Sequence, residues 1–270
     1  MNQFTHKISA HTIELPTFSF LPSNGKIAPM HSRQIVGGVY TQLPHHINFN
    51  VEGWYKTMDN LMEYDGNHSY APTVNDWQMD FSKGKGRSYG LETELLWHGL
   101  KTEMAAYYTL SWNERFFEDL YSQWFPDSHD NRHKLSLLFT HRFNKHFDMN
   151  ISWHYHSGDR FTGTIQYTTE QNPNYGQEGE LGGPEQVHRL YNTSPNNLQL
   201  PDYHRMDLGF NWRRVTRRGN ESIWNLSLYN AYCHVNTIYA EIGIDEEGNA
   251  KAYKYGLIPI IPMFSYTLKF

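Results

Sequence analysis

The chain has 270 residues, 16% of them aromatic (19 Tyr, 15 Phe and 8 Trp) and 19% charged, with a formal net charge of -5. That balance gives no general attraction to nucleic acid, and no apolar run approaches the ~18 residues of a membrane-spanning helix. Strand-built membrane proteins stay open, because only every second residue of a barrel strand must be apolar.

The longest apolar stretch, Leu257 to Phe264, is broken by Pro259 and Pro262. The single cysteine, Cys233, excludes an internal disulfide and a CxxC metal or redox site. The opening MNQFTHKISAHTIELP has no basic segment followed by an apolar one. An export signal already removed, or a Met1 that is not the true start of the gene product, is therefore expected.

Taken in chain order, the hydrophobic spacing is two almost everywhere, and no segment has helical spacing. Ile35 to Leu43, Ile47 to Tyr55 and Leu91 to Trp97 alternate weakly. Met104, Ala106, Tyr108, Leu110 and Trp112 then alternate with Glu103, Ala105, Tyr107, Thr109 and Ser111. Leu135, Leu137, Phe139 and Phe143 share a face, and Asn144-Lys145 is read as a tight hairpin turn. The clearest run follows: Phe147, Met149, Ile151, Trp153 and Tyr155 against Asp148, Asn150, Ser152 and His154. Met206, Leu208, Phe210 and Trp212 alternate with Arg205, Asp207, Gly209 and Asn211. Phe264, Tyr266, Leu268 and Phe270 do the same in the last segment.

Nine strands are expected, at 33–43, 46–64, 85–98, 101–116, 132–143, 146–158, 203–215, 222–241 and 254–270. Their links alternate in length. Short ones fall at Pro44-His45, His98 to Leu100, Asn144-Lys145 and Thr216 to Asn220; long ones fall at 65–84, 117–131, 159–202 and 242–253. Outer-membrane barrels have short periplasmic turns and long outer loops. Several strands also exceed the length usual in soluble domains. Tyr and Trp gather near strand ends (Trp54, Tyr55, Tyr64, Trp97, Trp112, Trp153, Tyr155, Tyr203 and Trp212), as interfacial girdles do. The expected fold is all-β: an antiparallel transmembrane barrel wall of meander topology. The competing pattern is a soluble β-sandwich, in which the same alternate residues face a second sheet.

On this reading Phe147, Met149, Ile151, Trp153, Met206, Leu208, Phe210 and Trp212 face lipid, and Met149, Ile151, Trp153, Leu208 and Phe210 are expected to be exposed. Glu52, Glu92, Glu94, Lys134, Arg142, Asp148, Arg205 and Asp207 lie on the polar, water-facing side. Arg205 and Asp207 point the same way, so cross-strand ion pairing is expected of them. His154 and His156 share a face about 7 Å apart along a strand. With Asp159 they could take a divalent metal. In a chain of 16 His such pairs arise by chance, and no metal is expected. No nucleophile, base and acid line up, so no catalytic residue is assigned, and no cofactor-binding motif is legible. WRRVTRR (212–218) reads as a solvated periplasmic turn rather than a nucleic-acid arm. The long link 159–202, with Phe161, Tyr167, Tyr175 and Tyr191, is the candidate ligand loop.

Several stretches resemble one family. GKGRSYGLETELLW (84–97), NRHKLSLLFTHRF (131–143), HSGDRFT (156–162), LPDYHRMDLGFNW (200–212) and NLSLYNAYCHVN (225–236) look like elements in the C-terminal part of the barrel of TonB-dependent outer-membrane receptors, of the sort abundant in Bacteroidetes. LPTFSFLPSNGKIAP (15–29) is a looser match, with Phe18 and Phe20 where the family often has Asp and Trp. Phe264, Tyr266, Leu268 and the aromatic Phe270 resemble the assembly signal of such barrels. The resemblance implies an outer-membrane receptor that takes up a scarce large solute (siderophore, cobalamin or glycan), with energy supplied through TonB. Residues 1–270 would then be the C-terminal part of the barrel domain, lacking the plug domain, the N-terminal barrel strands and the TonB box. Outer-membrane lipid is its expected surroundings, and no nucleic-acid partner is expected. An open nine-strand piece leaves unpaired edges, so it is not expected to form a stable pore alone. An outer-membrane enzyme barrel and a soluble carbohydrate-binding sandwich are the alternatives.

Overall fold

A computed structural model of the chain describes residues 5–9, 18–23, 27–64, 81–119, 121–163, 166–171, 186–191, 194–216, 219–244, 250–256 and 259–270. Every regular element in them is a strand. In order these are β1 (Thr5–Ser9), β2 (Phe18–Pro22), β3 (His31–Leu43), β4 (Ile47–Tyr64), β5 (Phe81–His98), β6 (Thr102–Phe117), β7 (Tyr121–Pro126), β8 (His133–Arg142) and β9 (Phe147–His156). There follow β10 (Arg160–Phe161), β11 (Gln166–Gln171), β12 (Gln186–Tyr191), β13 (Leu198–Gln199), β14 (Tyr203–Val215), β15 (Glu221–Tyr229), β16 (Thr237–Ile244), β17 (Ala250–Gly256) and β18 (Ile261–Lys269).

One antiparallel sheet dominates. It runs β3-β4-β5-β6-β8-β9-β14-β15-β18, with β7 paired to β6 beside the path. Each main strand lies next to the main strand before it in sequence, so the sheet is a meander. Small hairpins (β1-β2, β10-β13, β11-β12 and β16-β17) branch from it. The described path ends at β3 on one side and β18 on the other.

The nine strands of the path correspond to the nine expected from alternation, with corrections at the breaks. The expected strand 222–241 stops at Tyr229, because Asn230 and Cys233 take left-handed backbone angles (φ 55° and 60°) and turn the chain out into β16-β17. The expected strand 254–270 is likewise two pieces: residues 254–256 belong to β17, and β18 starts at Ile261. The 117–131 link contains β7, and β5 begins at Phe81 rather than residue 85.

The short links are slightly longer than expected. Leu43 pairs with Ile47, leaving Pro44, His45 and His46 as the loop, with His45 and His46 at φ 65° and 62°. The Asn144-Lys145 turn also includes His146, since the Phe143 amide donates to the Phe147 carbonyl at 3.1 Å. Asn144 closes that turn: its Oδ1 accepts from the amides of His146 (2.8 Å) and Phe147 (3.0 Å).

The main sheet is one layer thick. Among the described residues the buried apolar ones are few (Ile27, Leu61, Met62, Phe117, Phe125, Leu200 and Ala240), and none lies in the middle of a main strand. They sit at the long-loop end. There Phe117, Phe125 and Leu61 pack together with Met58 and Tyr121, and Ile27 packs with Met62 and Phe81. Gly84 makes the first of these clusters possible, since a Cβ there would collide with the Phe117 ring on the next strand. No sandwich core joins two sheets among the described residues.

Candidate functional site

Register divides the sheet into two unlike faces. On one, Phe147 opposes Trp212, Met149 opposes Phe210, Ile151 opposes Leu208 and Trp153 opposes Met206. The rows continue into β15, where Trp212, Phe210 and Leu208 oppose Trp224, Leu226 and Leu228, and into β18, where Trp224 and Leu226 oppose Tyr266 and Phe264. They continue the other way through Ile151–Phe139 and Trp153–Leu137. All eight residues expected to face lipid therefore lie on this one face.

Their exposure departs from expectation in one respect. Met149, Ile151, Trp153, Leu208 and Phe210 are half-buried instead of fully exposed, while Trp212 is 64% exposed. In a single-layer wall each side chain is covered on its flanks by cross-strand neighbours. Trp153 is met in addition by the Tyr232 side chain.

Rows of rings border this face. Toward the long loops Tyr55, Tyr89 and Trp112 stack in series at 6.2 and 5.4 Å. Farther along, the Tyr108 hydroxyl and the His133 Nδ1 lie 2.8 Å apart, and the Tyr155 hydroxyl donates to Asp202 at 2.8 Å. Toward the short turns come His141, Phe143, Phe147 and Phe210, with ring centroids 4.6, 5.2 and 6.2 Å apart in turn, and Trp224 against Tyr266 at 4.8 Å. The stretches Tyr89–Trp97, Met104–Trp112 and Phe147–Tyr155 each cover nine residues, within the ~9–11 a tilted strand needs to cross a bilayer. The outward positions in them hold no Asp, Glu, Lys or Arg. Charge on this face returns beyond the rings, where Arg87 pairs with Glu114 at 2.5 Å and lies 4.3 Å from the centre of the Trp124 ring.

The opposite face is polar. Glu52 lies directly across from Glu92, Glu94 from Asn50, and Lys134 from His156. Arg205 and Asp207 form an ion pair with each other at 3.0 Å along their own strand. This corrects the expected cross-strand pairing: residues two apart on one face are near enough to meet directly. Arg142 and Asp148 stand opposite each other in register at the short-turn end, beside Arg213.

The metal candidates are separately engaged. The His154 Nδ1 lies 3.1 Å from the Ser136 hydroxyl, the His156 Nδ1 lies 2.8 Å from the Ser157 carbonyl, and Asp159 accepts from the Asn131 amide. Among the described residues no three His, Cys, Asp or Glu side chains are grouped to hold a metal ion.

Of the candidate ligand loop, Phe161 is half-buried in β10 opposite Leu198. Tyr167 and Tyr191 lie on the paired strands β11 and β12, opposite Leu190 and Gln166, and Tyr175 lies outside the described residues.

Alternation could not reveal a polar cluster under the long loops. Asp130 is 1% exposed; it accepts from the Asn113 amide (2.9 Å), and its Oδ2 lies 3.2 Å from Arg160 and 3.5 Å from Arg132. Asn131 donates to Asp159 and to the Ser157 carbonyl (3.1 Å). Arg115 bridges Asp127 and Glu63. Burial pushes the Asp127 carboxyl up, yet hydrogen bonds from His129 and the charge and hydrogen bond of Arg115 hold it well below the usual carboxylate range. The run PDSHDN (126–131) carries the turn-forming residues that could have signalled such a knot. Ser128, His129 and Asp127 also meet here, but Ser128 (3.0 Å) and Asp127 (3.4 Å) both approach the same ring nitrogen, Nδ1. A nucleophile relay needs the two partners on opposite nitrogens.

A single-layer meander of long strands, apolar between rows of rings on one face and polar on the other, defines an outer-membrane type of barrel wall. No protein-family model and no curated protein matches the sequence. Solved structures do share the fold. The ferripyoverdine receptor of the outer membrane of Pseudomonas aeruginosa aligns with a TM-score of 0.53 at 14% identity, over 89% of this chain and 27% of its own. The same receptor type bound to a heterologous pyoverdine gives 0.54 at 13%, over 89% and 27%. The ferric-catecholate import receptor Fiu of E. coli K12 gives 0.51 at 14%, over 91% and 28%. The expected likeness of fold to outer-membrane receptors stands. The chain spans little more than a quarter of the length of the receptors it matches.

Proposed function

We propose that this chain forms part of the wall of an outer-membrane receptor barrel that takes up a scarce solute. The apolar face meets acyl chains, the polar face lines a water-filled interior, and the long loops face outward. The observation that carries this reading is the apolar face, free of acidic and basic residues between its rows of rings, on a sheet that has no second layer among the described residues. In water so large an apolar face would demand a partner; in hydrocarbon it needs none. The shared fold with import receptors supports transport over catalysis. The solute is proposed to be of the large kind that needs active import (siderophore, cobalamin or glycan), with energy reaching the barrel through TonB.

The test uses the chain folded into phosphatidylcholine bilayers within the longer barrel it is proposed to belong to, with Trp153 kept as the sole tryptophan. Lipids brominated in mid-chain should quench Trp153 strongly, and aqueous iodide should leave it bright. Quenching by iodide with no effect of brominated lipid would overturn the assignment of faces.

A further inference from the structure

The short-turn end of the polar face gathers more cations than carboxylates around one recess. At the short-turn end an open recess of about 530 Å³ is lined by Thr140, Arg142, Lys145, Asp148, Asn150, Asn211 and Arg213. Three cations thus face one carboxylate. That carboxylate, Asp148, is 5% exposed and already committed on both oxygens. Its Oδ1 accepts from Asn211 at 2.7 Å and Asn150 at 3.5 Å, and its Oδ2 is taken by Arg213. The hydrogen-bond chain continues through Asn225, which donates to Asn211 at 2.8 Å, and Thr140, which donates to Asn150 at 2.9 Å. Asp148 is therefore held on Arg213, with its oxygens turned to this network and away from the remaining cations.

Arg142 stands directly across from Asp148 in register, yet no ion pair joins it, or Lys145, to an acid among the described residues. Both side chains are exposed. The arrangement is a rigid polar floor with two uncompensated cations at its rim. A guanidinium presents paired donors that match a carboxylate, and an ammonium adds a point charge.

We infer that this recess binds carboxylate anions. Arg142 and Lys145 are its contacts, and Arg213 is withheld from the ligand by Asp148. The inference rests on the polar face being the water-filled side of the wall; it adds a carboxylate-bearing group as a partner chemistry there. Asp148 then acts as a brake, because its charge cancels the third cation.

The test is equilibrium binding of radiolabelled succinate to the full chain folded in detergent micelles at low ionic strength. Wild type should bind saturably, with affinity falling as salt rises. Arg142→Gln with Lys145→Gln should weaken binding by about tenfold or more. Both side chains are exposed, so the fold should survive, and circular dichroism checks that. Asp148→Asn frees Arg213 and should tighten binding several-fold, whereas a purely structural Asp148 would give no gain. Equal succinate binding by wild type and the double variant, or weaker binding by a folded Asp148→Asn protein, overturns the inference. Bromolipid quenching of Trp153 is read in parallel on the sole-tryptophan protein in bilayers: if it persists while succinate fails, only the recess assignment falls.

Discussion

At the scale of single residues, Arg115 is the tie on which the long-loop end depends. It joins Glu63 on β4 to Asp127, which follows β7, while Asp130 collects Arg132 and Arg160. Because Asp127 has a lowered pKa, its stabilisation is fully present above the ordinary carboxylate value of about 3.9 and is lost only as pH falls through the lower folded value. Arg115→Gln removes one of the causes that hold it down, so the tie should release at higher pH. Pepsin, itself active in acid, provides the readout. As pH is lowered, cleavage within 118–131 should begin at a higher pH in the variant than in wild type. Identical pepsin profiles would show that Arg115 does not secure this loop. None of this was legible beforehand. Asp127, Asp130 and Asn131 look like ordinary turn formers in sequence, and their partners lie on other strands or loops, at separations that alternation does not reach.

At the scale of elements, the apolar rows argue for a depth-dependent penalty on one face only. Leu208 sits mid-strand between Ile151 and Leu228, and Ser152 sits on the other face opposite Asp207. Leu208→Arg should cost roughly 2–4 kcal/mol in a bilayer. Ser152→Arg meets water and a carboxylate, and should cost well under 1 kcal/mol. Urea midpoints of the two variants in phospholipid vesicles make the comparison, and equal shifts would mean the faces are not distinguished by solvent. The same period-two signal explains how much of the fold the sequence disclosed. β9, and β14 from Met206 to Trp212, have their apolar residues on one face and announced both their extent and their side. Alternation could not see the breaks at Asn230 and before Ile261, because apolar residues continue through Val235, Ile238 and Ile260 while the backbone turns away. The hairpins β10-β13 and β11-β12 were hidden for the opposite reason: their strands are short or polar, and only pairing with a distant partner makes them strands.

At the scale of the whole molecule, the two ends of the wall differ in kind. The short turns are closed by local bonds, such as Gly99 to Thr102 at 2.8 Å and Thr216 to Asn220 at 2.8 Å. The long-loop end is held by buried asparagines that tie segments far apart. Asn196 donates to the Pro126 carbonyl at 2.8 Å, and Asn236 both accepts from the His204 amide and donates to its carbonyl at 3.0 Å. The candidate site was accordingly legible in part. The polar residues of the wall share one face as alternation implies, but the saturation of Asp148 by Arg213, which leaves Arg142 unbalanced, depends on a strand that returns more than sixty residues later. The turn that carries the chain from β15 toward β16 also holds the exposed thiol of Cys233, the one cysteine in the sequence. That accident equips the protein with a built-in compass. A maleimide too polar to cross a bilayer, added to sealed vesicles of known orientation, should tag Cys233 from the compartment outside the cell and from nowhere else; tagging from the inner compartment alone would turn the whole wall upside down.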